Sequence, residues 1–289
     1  MNDFYATHSS ITDPGRYIDL FEDLPTSLAG IAYVVQGLVY HYVVDQYNFG
    51  WAPPQERLAE INTRTMERFL ACLVDKDPRP LVRSRVCADR LVGCCRDFAL
   101  IACAILRQQG RPARLRYGFA GYFVPGYWVD HVVVETWVGD RWQRFDPQIA
   151  GQPDWGHNML DMVDAPFVSG GRAWQMCRHE GADPDRFGLG PDEQEVRGWM
   201  FIRERLQLDV AALNKVELLC WDLWNGLTEG QPEDEQILDQ MAALSLDPDS
   251  SALRRRCADE EGWRVPAMVR CFHPYEDGCS GIRSNEVLR

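Results

Sequence analysis

Basic residues are scarce relative to acidic ones in this chain of 289 residues. Lysine and arginine number 30 against 43 aspartates and glutamates, which gives a formal net charge of −13 at pH 7. A protein that binds nucleic acid neutralises phosphates with clustered lysines and arginines, and anionic membranes attract the same residues. The charge balance therefore argues against nucleic acid and membrane surfaces as partners.

Long apolar runs and a targeting pattern are also missing. The longest apolar stretch, residues 28–44, is interrupted by Gln36 and His41, and it is shorter than the ~20 residues that span a bilayer. The first ten residues, MNDFYATHSS, lack the charged segment and apolar run of a secretory signal. We expect a soluble protein.

No cysteine spacing of the repeated CxxC type occurs, although the chain has 10 cysteines. A secreted disulfide framework is usually short and dense in cysteine, and this chain is neither. We therefore expect a reduced, cytoplasmic protein whose thiols are mostly free.

What is present is the composition of a globular core and a clear order of elements. Hydrophobic residues make up 46% of the chain, and the apolar spacing predicts helices near residues 28–42, 53–73, 95–109, 199–224, 232–244 and 249–260. Thr26 or Ser27 is expected to cap the first of these. Strands are predicted at 114–120 and 130–138, with a turn at Gly139-Asp140 and a returning strand at 141–145. This order indicates the α+β class.

Cys95 lies where the third predicted helix begins, in the segment Gly93-Cys94-Cys95-Arg96-Asp97. Free backbone N–H groups and the helix dipole favour a thiolate at such a position. The pKa of a thiol there can fall below its ordinary value of about 8.5. The alternative is that Cys95 is a small buried hydrophobic residue, and composition by itself favours that alternative.

His131 and Asp146 follow on the predicted hairpin. His131 lies at the start of the predicted strand 130–138, and Asp146 comes just past the returning strand, in Phe145-Asp146-Pro147. With the turn between them, the two strands pair so that Asp146 lies near the start of the first strand. A carboxylate there can accept a hydrogen bond from one imidazole nitrogen and leave the other to face a thiol.

These segments together resemble the transglutaminase-like superfamily. The resemblance covers GCCRDFA at 93–99, LRQQGRPAR at 106–114, Asp130-His131 with Glu135, and WQRFDP at 142–147. The stretches IAYVVQGLVYH at 31–41 and LDVAALNKVELLCW at 208–221 resemble bacterial members. The resemblance implies a papain-like α+β core, in which a cysteine-bearing helix packs on a small antiparallel sheet, with further helices flanking this core. We expect a leader at 1–25, a catalytic domain at 26–230 and a helical extension at 231–289 packed on it.

The resemblance implies Cys95 as nucleophile, His131 as general base and acid, and Asp146 as the orienting carboxylate. The implied chemistry is acyl transfer from an amide or ester to an amine or to water, without cofactor or metal. Gln36, polar within an apolar helix, is a candidate donor to the oxyanion, and a locally hydrogen-bonded glutamine is the equal alternative. Cys94 departs from the family, where a residue such as asparagine is expected. A non-catalytic binding or scaffold protein with the same fold is the competing hypothesis.

Other polar residues receive structural interpretations. Asp97 is expected to interact with the N-terminus of the helix or with an arginine. Asp130 and Glu135 are expected to be charges at a strand edge or lining a pocket. His41 has no suitably spaced companion. The partners expected are an amide or ester substrate, as a small molecule or peptide, and an amine acceptor, with no prediction of oligomeric state. One further group offers three metal ligands without a fourth or a standard zinc spacing: Cys271, His273 and Cys279.

Overall fold

The computed structural model describes residues 3–152, 155–224, 230–272, 274 and 279–283. Helices and sheets are mixed along the chain, and the fold is α+β, as the order of elements predicts. None of the described helices combines the length and the apolar character needed to cross a membrane. Two short 3-10 helices come first, and each supplies an aromatic residue to the core: Asp3–Ala6 and Gly15–Phe21.

The first α-helix, α1 (Leu28–Leu38), begins where the sequence predicts. The hydroxyl of Ser27 accepts a hydrogen bond from the N–H of Gly30 at 3.1 Å, which confirms the expected cap. The helix ends four residues earlier than the apolar spacing suggests, because the chain extends into β1 (Val39–His41). This strand pairs in parallel with β2 (Leu91–Gly93) and places His41 opposite Gly93.

The long helix predicted from Pro53 to Leu73 is wrong. The chain forms α2 (Asp45–Phe49), a 3-10 helix over Gln55–Asn62, and then α3 (Met66–Lys76). Thr65 is extended and its side chain accepts from the N–H of Arg68, so a new helix is capped inside the predicted one. A cap formed by a threonine interrupts the helix although the apolar spacing continues across it.

Helix α4 (Cys95–Gln108) lies at the centre of the molecule. Every residue from its start through Arg107 is buried, and it packs against α1, α3 and the main sheet. It ends one residue before the predicted end, and Gly110 follows with a positive φ of 71°. Burial on all sides explains the run of alanine, leucine and isoleucine in its sequence.

The main sheet has the strand order β5-β4-β3-β6. Its antiparallel strands are β3 (Ala113–Val124), β4 (Tyr127–Val138), β5 (Arg141–Phe145) and β6 (Phe167–Ser169), and the short β7 (Phe187–Gly188) pairs in parallel with β4. The predicted hairpin of residues 130–145 is confirmed, with Val138 paired to Arg141 across the turn. The β3–β4 hairpin is longer than the sequence suggests.

In its described residues, the C-terminal part adds four α-helices and a small sheet. The helices are α5 (Gly170–His179), α6 (Trp199–Leu213), α7 (Pro232–Ser245) and α8 (Ser251–Asp259). Strands β8 (Asp222–Leu223), β9 (Met268–Phe272) and β10 (Cys279–Arg283) form a three-stranded sheet. The predicted helices at 232–244 and 249–260 are confirmed within two residues. Helix α6 ends eleven residues before the predicted 224, because Lys215 turns the chain with a positive φ of 61°.

Candidate active site

The candidate nucleophile lies at the junction between β2 and α4. Cys94 is the N-cap residue and Cys95 is the first residue of the helix. The carboxylate of Asp97 accepts the N–H of Cys94 at 2.9 Å, and the N–H of Asp97 donates to the carbonyl of Cys94 at 2.9 Å. A Cβ on Gly93 would lie only 2.6 Å from that carboxylate, so a glycine is required here. Asp97 also binds Arg96 at 2.9 Å, and it therefore has the structural role expected.

Three buried thiols meet at this helix start. The sulfur atoms of Cys94, Cys95 and Cys220 all lie within 4.8 Å of one another. Cys220 comes from the turn between α6 and β8. Hydrogen bonding to Cys220 raises the pKa of Cys95 well above its ordinary value, and burial adds to this effect. The thiols of Cys94 and Cys95 both donate to Cys220, which lowers the pKa of Cys220.

The direction of the Cys95 shift differs from the sequence expectation. A helix N-terminus favours a thiolate, but in this structure the sulfur of Cys220 is the preferred place for the negative charge. Burial of a single cluster of thiols allows one charge at a lower cost than two or three. The helix start therefore holds Cys95 as a thiol in the resting arrangement.

The sheet side of the site is a histidine and aspartate pair. His131 Nε2 lies 2.7 Å from Asp146 Oδ2, and both side chains are buried. The phenol of Tyr122 donates to the same oxygen at 2.8 Å, and the N–H of Gln148 donates to the other oxygen at 3.0 Å. Three partners thus fix the carboxylate. Because Nε2 of His131 faces Asp146, Nδ1 is the nitrogen that remains for another partner.

The pairing register of strands β3, β4 and β5 positions His131 and Asp146. Residue Val134 of β4 pairs with Phe145 of β5, so Asp146 follows directly at the end of the hairpin. His131 pairs on its other side with Gly118 of β3. A Cβ on Gly118 would lie 2.0 Å from the carbonyl oxygen of Val168, so only glycine allows β6 to approach here.

Aromatic rings surround the imidazole. Phe123 lies edge-on to His131 with ring centroids 5.0 Å apart, and Tyr122 is also edge-on at 6.1 Å. Trp155 packs against Phe123 at 5.3 Å. Burial raises the pKa of Tyr122 well above its ordinary value, with contributions from Asp146 and Cys95. Tyr122 thus binds Asp146 directly and lies within electrostatic range of Cys95.

Gln36 serves the turn that follows Asp146. Its side-chain nitrogen donates to the carbonyl of Pro147 at 3.1 Å and to the carbonyl of Ala150 at 2.9 Å. Both amide hydrogens are used, so a donor role toward an oxyanion would require one of these bonds to break. The arrangement matches the alternative of a locally hydrogen-bonded glutamine, and it links α1 to the Asp146 turn.

His41 is a site residue that sequence reasoning missed. Its Nδ1 accepts the N–H of Val43 at 3.2 Å, so the proton of the neutral ring is on Nε2. The ring stacks on Phe98 of the first turn of α4, with centroids 6.5 Å apart. Desolvation and the nearby His131 lower the pKa of His41 to about 4. No local motif marks this residue, because its neighbours come from distant parts of the chain.

The sequence suggested that Asp130 and Glu135 are charges at a strand edge or pocket, but their strand β4 lies inside the sheet and both side chains form buried ion pairs. Glu135 is buried and is bound by Arg114 at 2.9 Å, Arg116 at 3.1 Å and Arg144 at 2.8 Å. Asp130 pairs with Arg205 of α6 at 2.6 Å, and desolvation raises the pKa of Asp130 to about 6. Helix packing on the sheet buries these strand positions, and the arginines compensate the charges.

The structure brings one group of candidate metal ligands together, and a second group lies partly outside the described residues. Among the described residues, the three thiols of Cys94, Cys95 and Cys220 are the one group of three or more ligand atoms close enough to hold an ion. In the C-terminal group, Cys271 is buried in β9. His273 and the side chain of Cys279 lie outside the described part of the chain.

Comparison with known proteins identifies the family of the central segment. Residues 41–147 match the family model of the transglutaminase-like superfamily, and this segment therefore belongs to that superfamily, as the sequence resemblance indicates. The match includes Cys95, His131 and Asp146. No curated protein and no solved structure matches the chain.

Proposed function

We propose that this protein is a cysteine-dependent acyltransferase or amidase that acts on an amide or ester. Cys95 is the nucleophile, His131 the general base and acid, and Asp146 the orienting carboxylate. The observation that carries this proposal is the buried contact of 2.7 Å between His131 Nε2 and Asp146 Oδ2, within the same superfamily segment that places Cys95 at the start of α4. A cysteine, histidine and carboxylate in this order provide nucleophilic catalysis.

The reaction begins from a protonated Cys95, because its thiol donates to Cys220 in the resting arrangement. His131 Nδ1 accepts this proton as the sulfur attacks the carbonyl carbon. The tetrahedral intermediate collapses when His131 returns the proton to the leaving amine or alcohol, which breaks the carbon–nitrogen or carbon–oxygen bond. An amine or water then attacks the acyl-enzyme with His131 as base, and the thiol is restored.

The oxyanion of the intermediate needs hydrogen-bond donors. The N–H of Cys95 is one, because the first N–H groups of a helix have no acceptor within it. We assign the second to Nε2–H of His41, whose ring packs at the start of α4 and is neutral above its pKa of about 4. A donor of this kind contributes about 2.7–4 kcal/mol to the transition state. Gln36 becomes a positioning residue for the Asp146 turn.

The substrate is expected to meet an aromatic wall formed by Tyr122, Phe123 and Trp155. The net charge of −13 favours a neutral or cationic acceptor such as an amine. The nine cysteines whose side chains are described are all free thiols, which supports a reducing, cytoplasmic setting. Peptide amides and small amides or esters are both substrates of this proposal.

A second candidate, a non-catalytic binding protein with this fold, is favoured by one observation. Cys95 is only 7% exposed, and its thiol is bound to two others. In that case the three thiols only contribute to packing, and the protein binds its ligand without catalysing a reaction.

An esterase and amine-transfer assay separates the two candidates. Purified protein is mixed with p-nitrophenyl acetate, with and without a primary amine, and release of p-nitrophenol and acylated amine are followed. The enzyme proposal expects turnover in the unaltered protein and in Cys87→Ala, a matched variant of a cysteine outside the cluster. It expects none in Cys95→Ala. Equal rates in all three proteins would show that Cys95 is not the nucleophile.

A further inference from the structure

The three thiols at the start of α4 have the arrangement of a set of metal ligands. Their sulfur atoms lie within 4.8 Å of one another, and the three residues are 4%, 7% and 8% exposed for Cys94, Cys95 and Cys220. A metal bound to thiolates at about 2.3 Å holds its sulfur atoms about 3.8–4.0 Å apart. One ion can therefore contact all three sulfurs after small side-chain movements.

The segment that carries Cys220 is anchored on both sides of this cluster. Arg96 of α4 donates to the carbonyl of Glu217 at 2.7 Å, and the phenol of Tyr117 donates to the carbonyl of Leu218 at 2.5 Å. After the cysteine, Asp222 forms a buried ion pair with Arg64. The third sulfur is thus held in place by contacts that do not involve the thiols.

Charged groups of both signs lie near the cluster. Arg96 is paired with Asp97 and Arg205 with Asp130, and these carboxylates act to raise the pKa values of Cys94 and Cys95. Arg205 and Arg96 are 3% and 0% exposed, and both act on Cys220 to lower its pKa. Each guanidinium keeps one buried nitrogen without a hydrogen-bond partner among the described residues, Nη1 in Arg205 and Nε in Arg96. Buried donors of this kind are rare, and they stabilise several thiolates in one place better than neutral surroundings do.

The donor set selects the ion. Soft thiolate ligands favour Cu(I), Zn(II) and iron–sulfur clusters. Structural zinc sites take four protein ligands, iron–sulfur clusters take four cysteines, and a zinc ion with three protein ligands needs an open position for water. No fourth cysteine, histidine or carboxylate joins this group among the described residues, and the three cysteines are 8% exposed or less, which favours a three-coordinate ion. We propose that Cys94, Cys95 and Cys220 form a three-thiolate binding site for Cu(I). Coordination releases the protons that remain on the thiols and leaves a three-thiolate Cu(I) complex of charge −2 beside Arg96 and Arg205.

Copper binding and acyl transfer then exclude each other, because Cys95 serves both. Only this consequence rests on the proposed function, since the site itself requires the three sulfurs and no reaction. The Cu(I)-loaded protein is expected to be inactive, and removal of the ion with a chelator is expected to restore turnover.

A competition titration tests the site. Reduced full-length protein receives Cu(I) under anaerobic conditions in the presence of bathocuproine disulfonate, which reports free Cu(I) by its colour. The unaltered protein and Cys87→Ser are expected to hold one ion per chain against the chelator. Cys94→Ser and Cys220→Ser are expected to lose more than the ~10–100-fold in affinity that loss of an outer-shell partner costs.

X-ray absorption of the Cu(I)-loaded, unaltered protein tests the ligand set without any substitution. Three sulfur scatterers support the proposal, and circular dichroism shows whether the serine variants remain folded. Two sulfurs, a nitrogen ligand, equal affinity in the cluster variants, or tighter binding of Zn(II) than of Cu(I) would each overturn it. Copper binding in a protein that fails to turn over any ester would support the site and reject the enzyme, so the two proposals fail separately.

Discussion

The two sides of the candidate active site are built on different principles. On the sheet side, His131 and Asp146 are held by a short hydrogen bond. Tyr122 and the N–H of Gln148 donate two further hydrogen bonds to the carboxylate of Asp146. On the helix side, three polarisable thiols share one preferred position for a negative charge. Hydrogen bonds of this geometry allow one arrangement, whereas a thiol cluster allows several protonation and coordination states. In the proposed mechanism, the sheet side supplies the general base and its orienting carboxylate, and the helix side supplies a nucleophile whose state the thiol cluster controls.

The largest effect is expected from the sheet side. Asp146→Asn replaces the carboxylate that orients His131, and the amide can present its N–H group to Nε2 and stabilise the wrong tautomer. We expect kcat to fall by ~10⁴-fold, as in other triads. Steady-state kinetics with p-nitrophenyl acetate measure this, with circular dichroism as the control for folding. A loss below tenfold would remove Asp146 from the catalytic group.

The charge cluster behind the sheet side is expected to show a pH-dependent stability. Burial acts to raise the pKa of Glu135, but Arg116, Arg114 and Arg144 outweigh it and hold the pKa well below its ordinary value. The stabilisation is present above the unfolded pKa of about 4.3 and is lost as pH falls through the lower folded value. Glu135→Gln is expected to cost about 3–5 kcal/mol at pH 7.

Urea denaturation of the two proteins between pH 7 and pH 3 measures this difference. The destabilisation caused by Glu135→Gln should shrink toward the acid end, because the unaltered protein loses its advantage there. Glu56→Gln, at an exposed position, provides the control and should change little. A pH-independent difference for Glu135 would contradict the ion-pair explanation.

His41 belongs to the helix side and tests the oxyanion assignment. His41→Phe keeps a ring to stack on Phe98 and removes the N–H donor, so kcat is expected to fall by about 10²–10³-fold. KM should change little, and the rate at which iodoacetamide modifies Cys95 should be unaffected. His41→Gln restores a donor and should recover part of the rate. If the phenylalanine and glutamine variants are equally impaired, the role of His41 is structural.

The smallest effect is expected at Tyr122. Tyr122→Phe removes one hydrogen bond to Asp146 and leaves the aromatic wall intact. A hydrogen bond to a charged group contributes about 1.5–3 kcal/mol, and two other partners remain, so kcat should fall by roughly tenfold. An unchanged rate would restrict Tyr122 to packing.

Local patterns predicted the parts of the site that are close in sequence. The start of α4 at Cys95 follows from its glycine and apolar run, and the contact between His131 and Asp146 follows from the register of one hairpin. Cys220, Tyr122 and His41 could not be found in this way, because only tertiary packing brings Cys220 to Cys95, Tyr122 to Asp146 and His41 to Phe98. The catalytic roles themselves remain predictions.

Helix ends show the same limit. The apolar spacing from Trp199 continues past Leu213, since Leu218 and Leu219 are buried in an irregular segment that follows α6. Burial of a loop produces the same pattern as a helix face. Similarly, α1 ends early because β1 pairs with β2. This partner strand lies about 50 residues further along the chain, so the local sequence around α1 does not predict the pairing.

Mass spectrometry of the acyl-enzyme, before and after digestion, is the most direct test of the central claim. The protein is mixed briefly with p-nitrophenyl acetate, quenched in acid and digested. The account predicts one added acetyl group, located on Cys95, that disappears when an amine is added and does not form in His131→Ala. An acetyl group on Cys94 or Cys220 instead, or none on any cysteine while the ester is consumed, would contradict it.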